Sequence, residues 1–171
     1  TPLPPNSDGQ AMIILGAIDG SIVAFDPAKE EFLNFGQKSH IMNGQIGTVS
    51  VKNNFVVMSS STGMIVKYPI QGNKILPPED PSQIISMKAE SAITSLVMDD
   101  LNVEGILGTS MGNIFYLNLE AQQLIRLVSR AAPGLDNIGI VKFDPTNQAV
   151  FLSSSGKESG EVKLFTTGTL D

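Results

Sequence analysis

The sequence contains no cysteine and no tryptophan, and its single histidine is His40. The lack of cysteine excludes disulfide bonds and thiolate metal sites, and it is typical of proteins of the cytoplasm. One histidine is too few for a convincing catalytic triad or a histidine-rich metal site. We therefore expect a protein that is not an enzyme and that has no catalytic residue, metal or cofactor, and we interpret His40 as a structural or loop residue.

Charged residues are also scarce, at 16% of the chain, and they give a formal net charge of −6. An acidic protein repels phosphate backbones, so we expect no nucleic acid partner. No apolar run approaches the roughly 20 residues that cross a bilayer, and no signal peptide is visible, so we expect no membrane contact. The 42% of apolar residues is instead typical of a packed domain rich in strands.

One pattern recurs four times: two short apolar strands joined by a tight turn that ends in glycine. The turn glycines are Gly20, Gly63, Gly112 and Gly160. Glycine supplies the positive φ that a tight hairpin turn demands. Successive turn glycines lie 43, 49 and 48 residues apart, and each interval fits one four-stranded propeller blade of about 40 to 50 residues.

Further segments of β-branched and apolar residues flank the hairpins and predict additional strands. Residues 45–51, 92–98 and 137–143 precede a hairpin, whereas residues 32–35, 83–87 and 123–128 follow one. Residues 120–124 have high helix propensity, but the place of segment 123–128 in the repeat predicts an outer strand. The total is fourteen strands, with no clear inner strand in the first repeat and no outer strand in the fourth.

The predicted fold class is all-β: a β-propeller of about three and a half four-stranded blades, which is about half of a seven-bladed ring. The domain covers residues 11–171, after an N-terminal linker at residues 1–10. A propeller closes into a ring of four to eight blades, so half a ring leaves two blade edges without a neighbour. The remaining half comes either from the parent chain, which we favour, or from a second copy.

The repeat resembles that of WD-repeat propellers over nearly the whole chain. Asp19 and Gly20 match the turn Asp-Gly of that family, and Phe25-Asp26 stands where its Trp-Asp dipeptide would be. Without tryptophan the family's hydrogen-bond network does not form in full, so the repeats are degenerate. Residues 105–171 also resemble WD-repeat proteins of cilia and flagella. This resemblance implies a scaffold of the axoneme, the basal body or another cytoskeletal assembly.

These observations favour a non-catalytic scaffold whose partners are other proteins. The alternative is an enzyme or a small-ligand-binding propeller whose site is completed by the missing half. Two loops are candidate partner contacts, although each also reads as a solvated connector. The candidate residues are Pro77, Pro78, Glu79 and Asp80 in a stiff acidic loop, and Lys157 and Glu158 in a long hairpin tip.

Two further sets of residues receive structural interpretations. Asp99, Asp100 and Glu104 offer oxygen ligands, but they lack the spacing of a calcium loop, so we interpret them as an exposed turn between strands. Phe32, Phe35 and Phe55 are predicted to lie in the core.

Overall fold

The computed structural model of the protein describes residues 13–33, 42–70, 80–128, 138–143, 149–155 and 160–166, the last three ranges as backbone. These residues form fourteen strands and one short 3-10 helix, Pro81–Gln83. None of their helices is long and apolar enough to cross a membrane. The strands are β1 (Ile13–Gly16), β2 (Ile22–Asp26), β3 (Glu31–Leu33), β4 (Ile46–Lys52), β5 (Phe55–Ser60), β6 (Met64–Pro69), β7 (Ile85–Lys88), β8 (Ile93–Met98), β9 (Glu104–Thr109), β10 (Ile114–Asn118), β11 (Gln123–Val128), β12 (Ile138–Phe143), β13 (Ala149–Ser155) and β14 (Gly160–Thr166).

The strands form four separate antiparallel sheets, each built from strands that are consecutive in the chain. Sheet 1 contains β1 to β3, sheet 2 contains β4 to β7, sheet 3 contains β8 to β11, and sheet 4 contains β12 to β14. Within the described residues, sheet 1 lacks an inner strand and sheet 4 lacks an outer one, as the repeat predicts. Segment 123–128 is the outer strand β11 and not a helix, because pairing with β10 outweighs the helix propensity of residues 120–124.

The first strands of the four sheets lie next to one another along the chain order. Strand β1 contacts β4, β4 contacts β8, and β8 contacts β12. Each of the last three carries a register shift near its beginning, between Ile46 and Thr48, Ile93 and Ser95, and Ile138 and Ile140. A bulge bends a strand and increases its twist. The recurrence at one repeat position shows that this bend belongs to the repeat and not to a single sheet.

Sheet 2 is buried on both faces because successive residues of its strands point to opposite neighbours. One core cluster joins it to sheet 1 and includes Ile14, Ile22, Ala24, Val56, Met58, Val66 and Tyr68. A second cluster joins it to sheet 3 and includes Val57, Ile65, Leu107, Phe115 and Leu117. Burial on both sides explains why β5 and β6 begin with continuous apolar runs, at residues 55–58 and 64–66, and not with alternating patterns.

The structure corrects two sequence-based assignments and leaves one outside its range. Phe32 was predicted to lie in the core, but it is 65% exposed, because no described sheet covers its side of sheet 1. Gln83 was predicted to begin a strand, but it ends the 3-10 helix, which Asp80 caps and Pro81 begins. Phe55 is half-buried, and Phe35 lies outside the described residues.

Because Tyr68 lies in this core, we expect the stability of the protein to fall at alkaline pH. Its side chain is fully buried, and burial raises the pKa of its phenol above the ordinary value of 10.0. Above that pH the unfolded chain loses the phenol proton while the folded chain keeps it. The unfolded state then binds fewer protons, so the free energy of unfolding falls with rising pH, by up to about 1.4 kcal/mol per pH unit.

The substitution Tyr68→Phe should remove the part of the alkaline loss of stability that comes from this phenol. For the wild type and the variant, urea unfolding gives the free energy of unfolding at about pH 7 and about pH 11, and the difference between the two values is the loss. Lys67 contributes the opposite slope in both proteins, since burial lowers its pKa, and therefore cancels in the comparison. Equal losses in the wild type and the variant would contradict the prediction.

Candidate functional site

The described residues contain no group of three or more histidine, aspartate or glutamate side chains arranged to hold a metal ion. His40 lies outside them. Two other features stand out in the described part of the chain. One is a polar contact that locks sheet 2 to sheet 3, and the other is a set of exposed hairpin turns at one end of the sheets.

Asn102 is the centre of the polar contact between sheets 2 and 3. It is fully buried and lies in the turn that joins β8 to β9. Its Nδ2 donates to the carbonyl oxygens of Lys52 at 2.9 Å and Phe55 at 3.2 Å, and its Oδ1 accepts from Ser50 Oγ at 3.0 Å. The side chain thus holds both ends of the tight turn between β4 and β5, and we name this contact the Asn102 clamp.

Two lysines reinforce the Asn102 clamp from sheet 2. Lys67 is 4% exposed, and its Nζ donates to the carbonyl of Asn102 at 2.7 Å and lies 4.3 Å from the ring centre of Phe55. Burial lowers the pKa of Lys67, against the opposing charges of Glu120 and Asp99. Lys52 Nζ donates to the carbonyl of Met98 at 3.0 Å. Both ammonium groups therefore connect sheet 2 to the β8–β9 region, and that of Lys67 is buried in the contact.

The acidic residues of the β8–β9 region likewise have partners within the protein. Asp99 Oδ1 accepts the backbone N–H groups of Val103 at 2.8 Å and Glu104 at 3.1 Å, which closes the turn. Asp100 pairs with Lys52 at 3.2 Å on the surface. Glu104 accepts from the hydroxyl of Tyr116 at 2.7 Å. The three carboxylates therefore serve three separate contacts and do not converge on one point.

Three hairpin turns lie at the same end of the sheets: residues 17–21, 61–63 and 110–113. Ile46 N donates to the carbonyl of Ala17 at 3.1 Å, so the first turn touches the start of β4. The second and third turns repeat one contact, in which Ser61 N and Ser110 N donate to carbonyls that precede β4 and β8, at 2.8 and 2.9 Å. We name this surface the turn end.

The turns of the turn end have a fixed backbone. Gly20, Gly63 and Gly112 all have positive φ, as the repeat predicts. The N–H group of each donates to the carbonyl of the residue three positions earlier, at 3.1 to 3.3 Å. On this backbone Ile18 is 79% exposed and Met111 is 54% exposed. The turns at residues 17–21 and 110–113 thus present a large apolar side chain to solvent on a hydrogen-bonded backbone.

The sequence-predicted contact loops are only partly described. Pro77, Pro78, Glu79, Lys157 and Glu158 lie outside the described residues. Asp80 is exposed on the connection between β6 and β7 and accepts the N–H of Ser82 at 2.9 Å. That hydrogen bond lowers the pKa of Asp80. Asp80 therefore caps the 3-10 helix, and its predicted role in partner binding stays a prediction.

Sequence reasoning missed Asn102, Lys67 and the exposed side chains of the turn end. The Asp-Asp-Leu-Asn run at residues 99–102 indicates a turn, but nothing in it shows which strand lies beside that turn. Ile18 and Met111 carried a usable signal. Ile18 lies two residues before the turn glycine Gly20, and Met111 lies directly before Gly112. Small polar residues are common at such turn positions, so a large apolar residue there is unusual.

No protein-family model and no curated protein matches the sequence. Solved structures do match the fold. The computationally designed Ika4 protein is 20% identical with a TM-score of 0.61, over 91% of this chain and 84% of that one. The computationally designed Ika8 protein is 21% identical with a TM-score of 0.63, over 92% and 43% of the two chains.

Two further matches have higher TM-scores. A chain of the mitotic checkpoint complex has a TM-score of 0.69 at 11% identity, over 97% of this chain and 47% of that chain. Sqt1 from Chaetomium thermophilum has a TM-score of 0.69 at 17% identity, over 98% and 43%. The chain therefore spans less than half the length of three of these four structures. These likenesses and the four separate sheets identify the fold as all-β, a partial β-propeller of the WD-repeat-like type.

Proposed function

We propose that the protein is a non-catalytic scaffold that binds other proteins, in keeping with its WD-repeat-like propeller fold. The observation that carries the proposal is the turn end, where Ile18 and Met111 stand exposed on turns whose backbone is already fixed. A partner that buries them gains apolar contact and orders little chain, because a preorganised surface loses little conformational entropy on binding.

The turn end also defines the chemistry of the partner. Polar groups accompany the apolar tips on the turn end: Asp19 follows Ile18 and is exposed, and Thr62 on the neighbouring turn is exposed and donates its Oγ1 hydrogen to the carbonyl of Asn43 at 2.8 Å. A matching protein surface needs apolar pockets with hydrogen-bonding groups around them and no excess of negative charge. The proposed partners are therefore folded proteins or peptides, together with the remaining half of the propeller, from the parent chain or a second copy.

The narrower proposal is that the protein is a structural component of cilia, flagella or another cytoskeletal assembly in the cytoplasm. Its support is the resemblance of residues 105–171 to ciliary and flagellar WD-repeat proteins. Affinity purification of the protein from a ciliated cell tests it. Recovery of axonemal, basal-body or other cytoskeletal proteins is expected. Recovery of none of these proteins would contradict the proposal.

A double substitution of the turn end tests the scaffold proposal. Ile18→Ser with Met111→Ser should weaken the capture of each partner by about tenfold or more, because central apolar anchors carry most of the binding free energy of an interface. Quantitative mass spectrometry of proteins recovered with wild type and variant measures the change. Both side chains are exposed, so thermal unfolding should show little change.

The matched control is Leu101→Ser. Leu101 is 58% exposed, and it lies in the β8–β9 turn at the opposite end of the sheets. Capture by this variant should equal that of the wild type. A loss of partners in the control as large as in the double variant would assign binding elsewhere, and unchanged capture by the double variant would reject the turn end as the binding surface.

A further inference from the structure

Sheet 1 presents an apolar face to solvent on the side turned away from sheet 2. Strand pairing places its residues together, since Phe25 lies opposite both Ile13 and Phe32, and Leu15 lies opposite Val23. Phe25 and Phe32 are in ring contact, with centroids 5.0 Å apart. Phe32 is 65% exposed and Leu15 is 43% exposed. We name these five residues the first-sheet face.

The repeat shows what normally covers such a face. Leu15 stands five residues before its turn glycine, and the residues at that position in sheets 2 and 3 are Met58 and Leu107. Both counterparts are fully buried, and they belong to the core clusters that each sheet shares with the preceding sheet. Leu15 is likewise a large apolar side chain at this position, but no sheet among the described residues covers it.

The other strand of the hairpin gives the same result. Phe25 stands five residues after its turn glycine, where sheets 2 and 3 have Tyr68 and Leu117, and both of these are fully buried. Phe25 itself is half-buried and rests on Phe32. An exposed apolar face that is rimmed by polar turns marks an interaction surface. Here the matched positions identify the missing element as a preceding sheet.

We infer that the first-sheet face packs against another propeller sheet, carried by a further segment of the same polypeptide. The incoming face has the character of the one that sheet 1 offers to sheet 2, where Ile14, Ile22 and Ala24 are buried. The new contact thus continues the interfaces between sheets 1 and 2 and between sheets 2 and 3.

The relative lengths of the similar structures favour the same polypeptide as the source. This chain spans 47% of the mitotic checkpoint complex chain and 43% of Sqt1, so each of those chains carries more than twice the length that this fold occupies. The chain of nearly equal length, Ika4, is a designed protein. The inference rests on the fold and on the first-sheet face, and it holds whether or not the turn end binds partners.

Cysteine labelling tests this inference, because the 171 residues contain no cysteine of their own. Leu15→Cys reports on the first-sheet face, Ile18→Cys on an exposed turn, and Met58→Cys on a buried counterpart. Each is labelled with a maleimide in the 171-residue chain alone and in the complete polypeptide from its native cell. Peptide mapping then gives the labelling rate at the introduced cysteine.

The expected result is that Leu15→Cys reacts readily in the 171-residue chain and at least about tenfold more slowly in the complete polypeptide. Ile18→Cys should react quickly in both, and Met58→Cys slowly in both. Equal rates for Leu15→Cys would overturn the inference. A different outcome is that Leu15→Cys is protected in the 171-residue chain, that this protection is lost on dilution, and that the chain is a dimer in solution. In that case a second copy, and not the same polypeptide, would supply the covering sheet. Protection that disappears when residues 1–12 are removed would assign the face to the chain's own N-terminus.

A second variant keeps the test independent of labelling. Phe32→Glu places a charge at an exposed position of the first-sheet face, so the unfolding temperature of the 171-residue chain should not change. In the complete polypeptide the same charge would be buried without a partner, and the unfolding temperature should fall by several degrees. An unchanged temperature in both proteins would also overturn the inference.

Discussion

Replacement of Asn102 by alanine should lower the free energy of unfolding by about 3 to 4 kcal/mol. Asn102 is fully buried, and its side chain makes hydrogen bonds with the carbonyls of Lys52 and Phe55 and with the hydroxyl of Ser50. Alanine removes all of these partners at once. Carbonyls that stay buried without a donor retain the full cost of their lost hydration, which exceeds the net value of an ordinary hydrogen bond.

Backbone geometry adds a smaller contribution at this position. Asn102 has φ of 54°, in the left-handed region that asparagine tolerates better than alanine. Asn54 is the matched control, since it is an asparagine with φ of 60° in an exposed turn. Asn54→Ala should therefore cost only about 1 kcal/mol. Urea unfolding of both variants measures the difference, and equal losses would show that the Asn102 clamp contributes nothing beyond the backbone term.

Replacement of Gly63 by alanine should lower the free energy of unfolding by about 3 to 5 kcal/mol. Gly63 has φ of 84°, where an L side chain is strained. A methyl group there would also lie 2.6 Å from the carbonyl oxygen of Ser91 and 2.8 Å from that of Ala89. Both neighbours are backbone atoms of the β7–β8 connection, so relief requires the connection itself to move away from the turn.

Gly47→Ala is the control for the Gly63 substitution. Gly47 has no positive φ, and a methyl group there would meet its nearest neighbour, the carbonyl oxygen of Ile93, at 3.3 Å. That contact is tight but relieved by a small shift, so the expected loss is at most about 1 kcal/mol. Thermal and urea unfolding of the two variants compare the costs. A loss for Gly63→Ala as small as for Gly47→Ala would mean that the turn rearranges freely.

The features that the sequence predicted are those in which neighbouring residues decide the structure. A glycine with positive φ closes a hairpin whatever surrounds it, so the turns at Gly20, Gly63 and Gly112 were readable from their spacing alone. The strand pattern between these glycines was likewise local. It placed β11 correctly despite the helix propensity of residues 120–124, because the repeat assigns segment 123–128 a partner strand.

The candidate site was less readable, because its contacts join residues that are far apart in the chain. Asn102 and Lys52 are separated by 50 positions, and no pattern in either segment indicates that they meet. Phe32 shows the same difficulty in reverse, since its apolar character predicted a buried place and the described sheets leave it exposed. Burial depends on which sheet lies on each side, and a single strand does not specify its neighbours.

By itself, then, the sequence determined the repeat, its turns and the all-β class, since hairpin geometry and alternation act over a few residues. Only the tertiary structure decided which faces are covered, which polar groups lock adjacent sheets and which turns share one end. Those properties arise from packing between sheets, where the side chains that meet come from different repeats.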